Sequence, residues 1–148
     1  MIEDKRLCEI IILSKILTKN YQNKINEISK NYGLTNSEAK TLLFFYDNPN
    51  CFNAKDFKNN HHVSKSYVSK AIKLLLDKKL IKIIVDNTDK RYQKIEINSN
   101  AKKIIKDLIK IRNDFKFNLM KDINEKDLNI FFEVLRKIEK NIMIEKGN

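Results

Sequence analysis

The chain has 148 residues, enough for one domain of ordinary size with a core of its own, and 42% of them are apolar, which marks it as globular. Its 30 Lys and Arg against 19 Asp and Glu give a formal net charge of +11, which favours a polyanionic partner, either nucleic acid or an anionic membrane surface. Two cysteines, Cys8 and Cys51, without a ligand-spaced Cys or His cluster, exclude a disulfide scaffold and a zinc module, and the longest unbroken apolar run, Leu42 to Tyr46, is too short to span a bilayer.

The N-terminal residues MIEDKR carry acidic groups and no small-residue cleavage site, so no signal peptide is expected and the chain is read as cytoplasmic. Gly occurs twice and Pro once, which predicts long helices with few turns. The first helix is predicted from Leu7 to Ile28, where Leu7, Ile10, Ile11, Leu13, Ile16, Leu17, Tyr21, Ile25 and Ile28 recur at helical spacing. Asn-Tyr-Gly at 31–33 ends it, with Gly33 suited to a left-handed C-cap. Thr35-Asn-Ser-Glu38 is a capping box, and a second helix follows through Ala39, Leu42, Leu43 and Tyr46 until Pro49 stops it.

Asn53 is placed to cap a short third helix containing Ala54 and Phe57, and Asn59 to His62 to turn the chain. Ser64 is placed to cap a fourth helix with Val68, Ala71, Ile72 and Leu75 facing inward. Leu80 to Val85 reads as a strand, 86–91 as a charged turn, and Ile95 and Ile97 alternate with Lys94 and Glu96 as a second strand. Asn98 is expected to cap a fifth helix running to about Asp122. Asn124 is expected to cap a sixth, lined on one side by Leu128, Phe131, Phe132, Leu135, Ile138 and Ile142. No repeat, low-complexity segment or domain linker interrupts the chain.

Helix, short turn, second helix and two-stranded hairpin, in that order, make a winged helix-turn-helix. Residues 63–97 are also the most basic part of the chain per residue, with nine Lys or Arg against four Asp or Glu. The fourth helix has a small, polar, basic face of Lys65, Ser66, Ser69, Lys70 and Lys73 opposite its apolar stripe. A helix of this kind fits the DNA major groove, where hydroxyls and Lys reach base edges and phosphates. The turn of the hairpin carries Lys90 and Arg91, sized for the neighbouring minor groove or its phosphates.

On these residues the chain resembles the MarR-type transcriptional regulators over nearly all its length. Ser64, Lys65, Ser66, Tyr67, Val68, Ser69 and Lys70 match the start of that family's recognition helix, and Asp86, Asp89 and Arg91 match the Asp-x-x-Asp-x-Arg of its wing. The resemblance implies that Arg91 enters the minor groove and that Asp89 orients its guanidinium. The segment from Ile123 into the last helix is also similar to the family's last helix. The chain departs from the pattern at Lys79 and near Ala101, where Gly is usual, and at Thr88, where Arg is usual. The first two departures imply altered caps, and the third removes one phosphate-seeking charge.

The expected architecture is mainly α with a small β-hairpin wing, in a single domain. Residues 1–33 and 99–148 are expected to form dimerisation helices, and 35–98 the winged helix-turn-helix DNA-binding region. The last helix carries more apolar surface than one side needs, with Ile130, Val134 and Met143 adjoining its main stripe. The expected function is that of a sequence-specific double-stranded DNA-binding regulator, a dimeric repressor responsive to a small molecule or an oxidant. The alternative is a winged-helix module that binds protein or RNA. Cys8 resembles the family's peroxide-sensing branch in outline, but it also fits a buried stripe with Leu7 and Ile11, where a thiol is inert. Cys51, beside Phe52, fits a short packed strand. His61 and His62, in the turn before the fourth helix, suit a phosphate contact or plain exposure. No Gly-rich phosphate loop, nucleophile elbow or paired carboxylates occur, so neither enzymatic activity, cofactor nor metal is expected.

Overall fold

In the computed structural model, residues 4–49, 65–85, 87–88 and 93–146 are described. They form α1 (Asp4–Asn31), α2 (Asn36–Asp47), α3 (Lys65–Asp77), β1 (Ile81–Val85), β2 (Gln93–Ile97), a short 3-10 turn (Ser99–Ala101), α4 (Lys102–Met120) and α5 (Glu125–Lys146). Thus α3, α4 and α5 are the fourth, fifth and sixth of the expected helices. The expected short helix around Ala54 and Phe57 lies outside the described residues, as do Cys51, His61 and His62. The chain comprises two compact units, Met1–Phe115 and Lys116–Asn148.

The first unit is built on a core of Ile25, Leu34, Ala39, Leu42, Leu43, Phe44 and Phe45 from the α1–α2 region, with Val68 and Leu75 from α3. Leu80, Ile81 and Ile95 close it from the hairpin, and Ala101, Ile104, Ile105 and Leu108 from the start of α4. Each Val, Leu, Ile or Phe among them contributes about 1.5–3 kcal/mol when removed from water, so this cluster is what holds the elements together. The inward stripe predicted for α3 is confirmed: Val68, Ala71 and Leu75 are fully buried and Ile72 is partly buried.

The predicted helix ends are mostly where polar chemistry puts them. Gly33 has φ +62, its N–H donates to Lys30 O at 3.1 Å, and the Leu34 N–H donates to Ser29 O at 2.9 Å. Those two bonds form a Schellman cap, which requires the left-handed conformation that glycine adopts without cost. The capping box at Thr35 is complete: the Glu38 N–H donates to Thr35 Oγ1 at 3.3 Å and the Thr35 N–H donates to Glu38 Oε2 at 2.8 Å. α2 ends at Asp47, and Asn48 sends both its N–H and its side-chain amide to Phe44 O at 2.9 Å, just before Pro49.

Asn98 departs from expectation. It makes no side-chain cap, and the chain passes through the 3-10 turn before α4 begins. Its amide side chain instead donates to Lys79 O at 2.8 Å, and its N–H donates to Leu80 O at 2.9 Å. The side chain thus serves the end of α3 rather than the start of α4.

The hairpin is antiparallel, with Ile81 opposite Ile97, Lys82 opposite Glu96 and Ile83 opposite Ile95. Only its base is in the core: Ile81 and Ile95 are buried, whereas Ile83, Ile84 and Val85 are exposed. The first strand is exposed toward the turn because it runs past the elements that cover its base. α4 is fastened to the rest of the first unit by polar and aromatic contacts. Arg112 grips both oxygens of the Asp47 carboxylate, Tyr32 donates to Asp107 Oδ2, and the Tyr21 and Phe115 rings lie 5.2 Å apart.

Burial divides α1 along its length. Ile25 is in the core and Tyr21 and Ile28 pack against it, while Leu7, Ile10, Ile11, Ile12, Leu13 and Ile16 are all exposed, Leu13 by 64%. The second unit holds the last turn of α4, a turn with Asp122 at φ 63, and α5. Asn124 caps α5 as predicted, its Oδ1 accepting from the Asp127 N–H at 2.9 Å. Beyond the half-buried Leu128 the apolar stripe of α5 is exposed, Phe131 and Phe132 included, although these two rings meet edge to face.

The end of α3 yields a prediction. The N–H of Lys79 donates to Leu76 O and that of Leu80 to Leu75 O, both at 2.9 Å, the same cap geometry as at Gly33. Lys79 takes it at φ 55, where a side chain costs roughly 1–2 kcal/mol. Lys79→Gly removes that cost, offset in part by the entropy of the unfolded chain. The expected result in urea unfolding is a gain of about 1 kcal/mol, while Lys79→Ala gives none.

Candidate nucleic-acid interface

At 3.6 residues per turn, Ser66, Ser69, Lys70 and Lys73 fall within an arc of about 100° on α3, opposite the buried stripe. All four are exposed, and Tyr67 flanks them at 42% exposure. The face has two short hydroxyls and two ammonium groups and no bulky apolar side chain. Asp77, also exposed, follows one turn after Lys73, so the basic character belongs to the N-terminal two-thirds of the helix. Lys65 opens α3. Its side chain, Ser64 and the wing residues Asp86, Asp89, Lys90 and Arg91 lie outside the described residues. Asn87 and Thr88 are exposed at the end of the hairpin.

Not every lysine of the basic segment faces outward. Lys82 pairs with Glu96 across the strands at 2.7 Å, so this charge is matched within the hairpin. Lys78 pairs with Glu38 at 2.7 Å and also donates to Gly33 O at 2.6 Å. Sequence reasoning missed both partnerships. The first was open to it once the strand register was set, because Lys82 and Glu96 are then directly opposite. The second joins residues 40 positions apart and left no local signal.

The Glu38 carboxylate is fully buried and accepts from Lys78, from the Thr35 N–H and from the Thr35 hydroxyl. Burial pushes its pKa up, but the hydrogen bonds from Lys78 and Thr35 together outweigh burial and hold it below the ordinary value of 4.5. A carboxyl depressed in the folded state stabilises the fold fully above its unfolded pKa. That contribution is lost as pH falls through the folded value.

Cys8 is a free thiol on the exposed part of α1, beside the equally exposed Leu7 and Ile11, so the expected buried stripe is not formed there within the chain. Among the described residues no group of His, Cys, Asp and Glu is disposed to hold a metal ion, and no helix is long and apolar enough to cross a membrane.

The Glu38 carboxylate gives a measurable pH signature. In urea unfolding at pH 7, Glu38→Gln lowers stability by about 2 kcal/mol, the scale of a hydrogen bond to a charged group. The gap to the wild type narrows as pH falls below about 4.5, where the wild-type carboxyl takes up its proton. A gap that stays constant from about pH 7 to about pH 3 contradicts the assigned ionisation.

No protein-family model matches the chain, and no curated protein sequence matches it. Solved structures do. A MarR transcription regulator from Oenococcus oeni PSU-1 superposes with a TM-score of 0.74 at 16% identity, covering 88% of this chain and 98% of that one. The MepR–DNA complex of S. aureus gives a TM-score of 0.74 at 20% identity, covering 88% and 96%. Bordetella bronchiseptica BpsR, whose DNA binding is regulated by 6-hydroxynicotinic acid, gives 0.65 at 15% identity, covering 86% and 90%. The chain therefore has the winged-helix fold of the MarR-type regulators, mainly helical with one antiparallel hairpin.

Proposed function

We propose that the chain is a sequence-specific double-stranded DNA-binding transcriptional regulator, acting as a homodimeric repressor in the cytoplasm. The observation that carries this reading is the face of α3. Ser66, Ser69, Lys70 and Lys73 are exposed together while the opposite side of the same helix is locked into the core. A rigidly seated helix with small polar and cationic groups outward suits the major groove, with Lys70 and Lys73 to phosphates or base edges and the hydroxyls to bases. Ser64, Lys65 and Tyr67 extend that contact at the helix start. In the wing, Arg91 enters the minor groove, Asp89 orients its guanidinium, and Lys90 meets the phosphates. The likeness in fold to a regulator solved on DNA supports the reading.

Residues 35–98 form the reading part, and 1–33 and 99–148 supply the dimer interface. The exposed apolar residues on the first half of α1, and separately those along α5, support a second copy as their cover, since a monomer in water leaves such surface unfilled. A two-fold dimer presents its reader helices to half-sites about 34 Å apart. The likeness to a regulator controlled by an aromatic acid supports a small-molecule effector. The exposed thiol of Cys8 supports an oxidant as the other candidate signal.

Binding to duplex DNA across a salt series tests the main reading. Affinity falls steeply with salt, and Lys70→Ala or Lys73→Ala each lowers the slope by about 1. Arg91→Ala costs about 1–3 kcal/mol on a selected operator, with a smaller loss for Asp89→Ala. Salt-insensitive association instead identifies a protein-binding winged helix. In sedimentation the full chain runs as a dimer, and a clean monomer at micromolar concentration refutes the proposed interface. Peroxide releases DNA from the wild type and not from Cys8→Ser if Cys8 is the sensor, whereas equal release or none removes that role.

A further inference from the structure

The basic character of residues 63–97 invites one reading for every lysine in it, a contact with phosphate. Lys78 has a different set of neighbours. Its Nζ donates to Gly33 O at 2.6 Å and to Glu38 Oε1 at 2.7 Å. Gly33 is the residue that caps α1, Glu38 closes the capping box of α2, and Lys78 follows the last residue of α3. One ammonium group therefore ties together the ends of three helices. The next residue, Lys79, is held in the left-handed region, and its carbonyl accepts from Asn98 at the base of the hairpin. The C-terminal end of α3 is thus fastened on two sides, to the α1–α2 corner and to the wing.

The geometry points to Lys78 as a positioning residue for the reader helix, one that sets the pose of α3 on α1 and α2 and does not itself contact nucleic acid. This rests on the role proposed for α3 above. The apolar stripe of α3 attracts the core but has no preferred direction, so it tolerates rolling and tilting. Charge-assisted hydrogen bonds are short and directional, and here the acceptors sit on two different elements. The lever is long. A tilt of about 5° about the C-terminal end of α3, a helix of about 20 Å, displaces its N-terminal residues by about 2 Å. A displacement of that size breaks hydrogen bonds to base edges, whose donor–acceptor distances vary by only about 0.5 Å.

The test uses the full chain and a duplex that the wild type selects from random sequence, with affinity measured across a salt series. Lys78→Met weakens binding by about tenfold, the scale of one lost base contact, at an unchanged salt slope. Lys78→Arg, whose guanidinium presents donors to both acceptors, restores it, whereas Lys70→Ala lowers the slope by about 1. A slope lowered in Lys78→Met as in Lys70→Ala makes Lys78 a phosphate contact, and unaltered affinity makes it a bystander. Either result overturns the proposal. Amide hydrogen exchange supplies an arm that needs no DNA. Lys78→Met speeds exchange at Lys79 and Leu80, which close α3, relative to amides of α4. If the wild type binds no duplex, the DNA reading fails on its own, and unchanged exchange at these amides still refutes the positioning role. Where Lys78→Met does not fold, Glu38→Gln takes its place. It leaves one acceptor oxygen where Lys78 and the Thr35 cap use two, and it is expected to lose affinity at an unchanged slope.

Discussion

The ion pair between Lys78 and Glu38 is the constraint on which the arrangement of the first unit depends. A fully buried carboxylate is costly to desolvate, and it persists because three donors, Lys78 and both donors of Thr35, converge on it. Lys78 keeps part of its side chain in water, so the pair has one dry partner and one wet one. That asymmetry decides what losing each partner does. Removing Glu38 leaves an ammonium that solvent can accept. Removing Lys78 leaves a carboxylate with its cation gone and no path to water. The pair also selects one geometry from many that the apolar core would tolerate, because hydrophobic contact supplies attraction without direction.

The local half of this fold was legible in the sequence, and the non-local half was not. Gly33, the Thr35–Glu38 box, Pro49 and Asn124 act within four residues of themselves, and each ended or began a helix as its chemistry predicts. The stripe of α3 was legible because periodicity is a local property of the chain. The partners of Lys78 and Arg112 were not, because a cation at a surface and a cation tying helices together look alike in sequence. Asn98 shows the same limit from the other side. Its position suggested a cap, and the structure gives it to a carbonyl 19 residues earlier. In the candidate site, the face of α3 was readable from spacing, while the seating of that helix depended on contacts 40 and 45 residues away.

Charge needs the same distinction. The segment 63–97 has nine cationic residues, and the count alone makes it a strong electrostatic footprint. Two of them, Lys78 and Lys82, are matched by carboxylates within 2.7 Å. Their fields are largely cancelled at the distance of a bound polyanion. Lys70 and Lys73 are exposed on the outward face of α3, so the effective footprint is smaller and better placed than the composition implies. In the role proposed for α3 that economy is an advantage, because scattered cations raise affinity for every sequence equally while cations beside hydroxyls on one face discriminate.

Composition also explains how the turns are built. With two Gly and one Pro in the chain, most helix ends and turns must be made by other residues. Thr35, Asn48 and Asn124 supply side-chain caps, and Lys79 and Asp122 take left-handed backbone that glycine would adopt more cheaply. This choice has a structural consequence at α3. Glycine at position 79 would adopt this backbone without the strain. A lysine there is strained, and its carbonyl is held by Asn98 from the end of the second strand. The end of α3 and the base of the hairpin are therefore joined through this bond. The bond is to a backbone carbonyl, so it joins α3 to the hairpin whatever side chain stands at position 79.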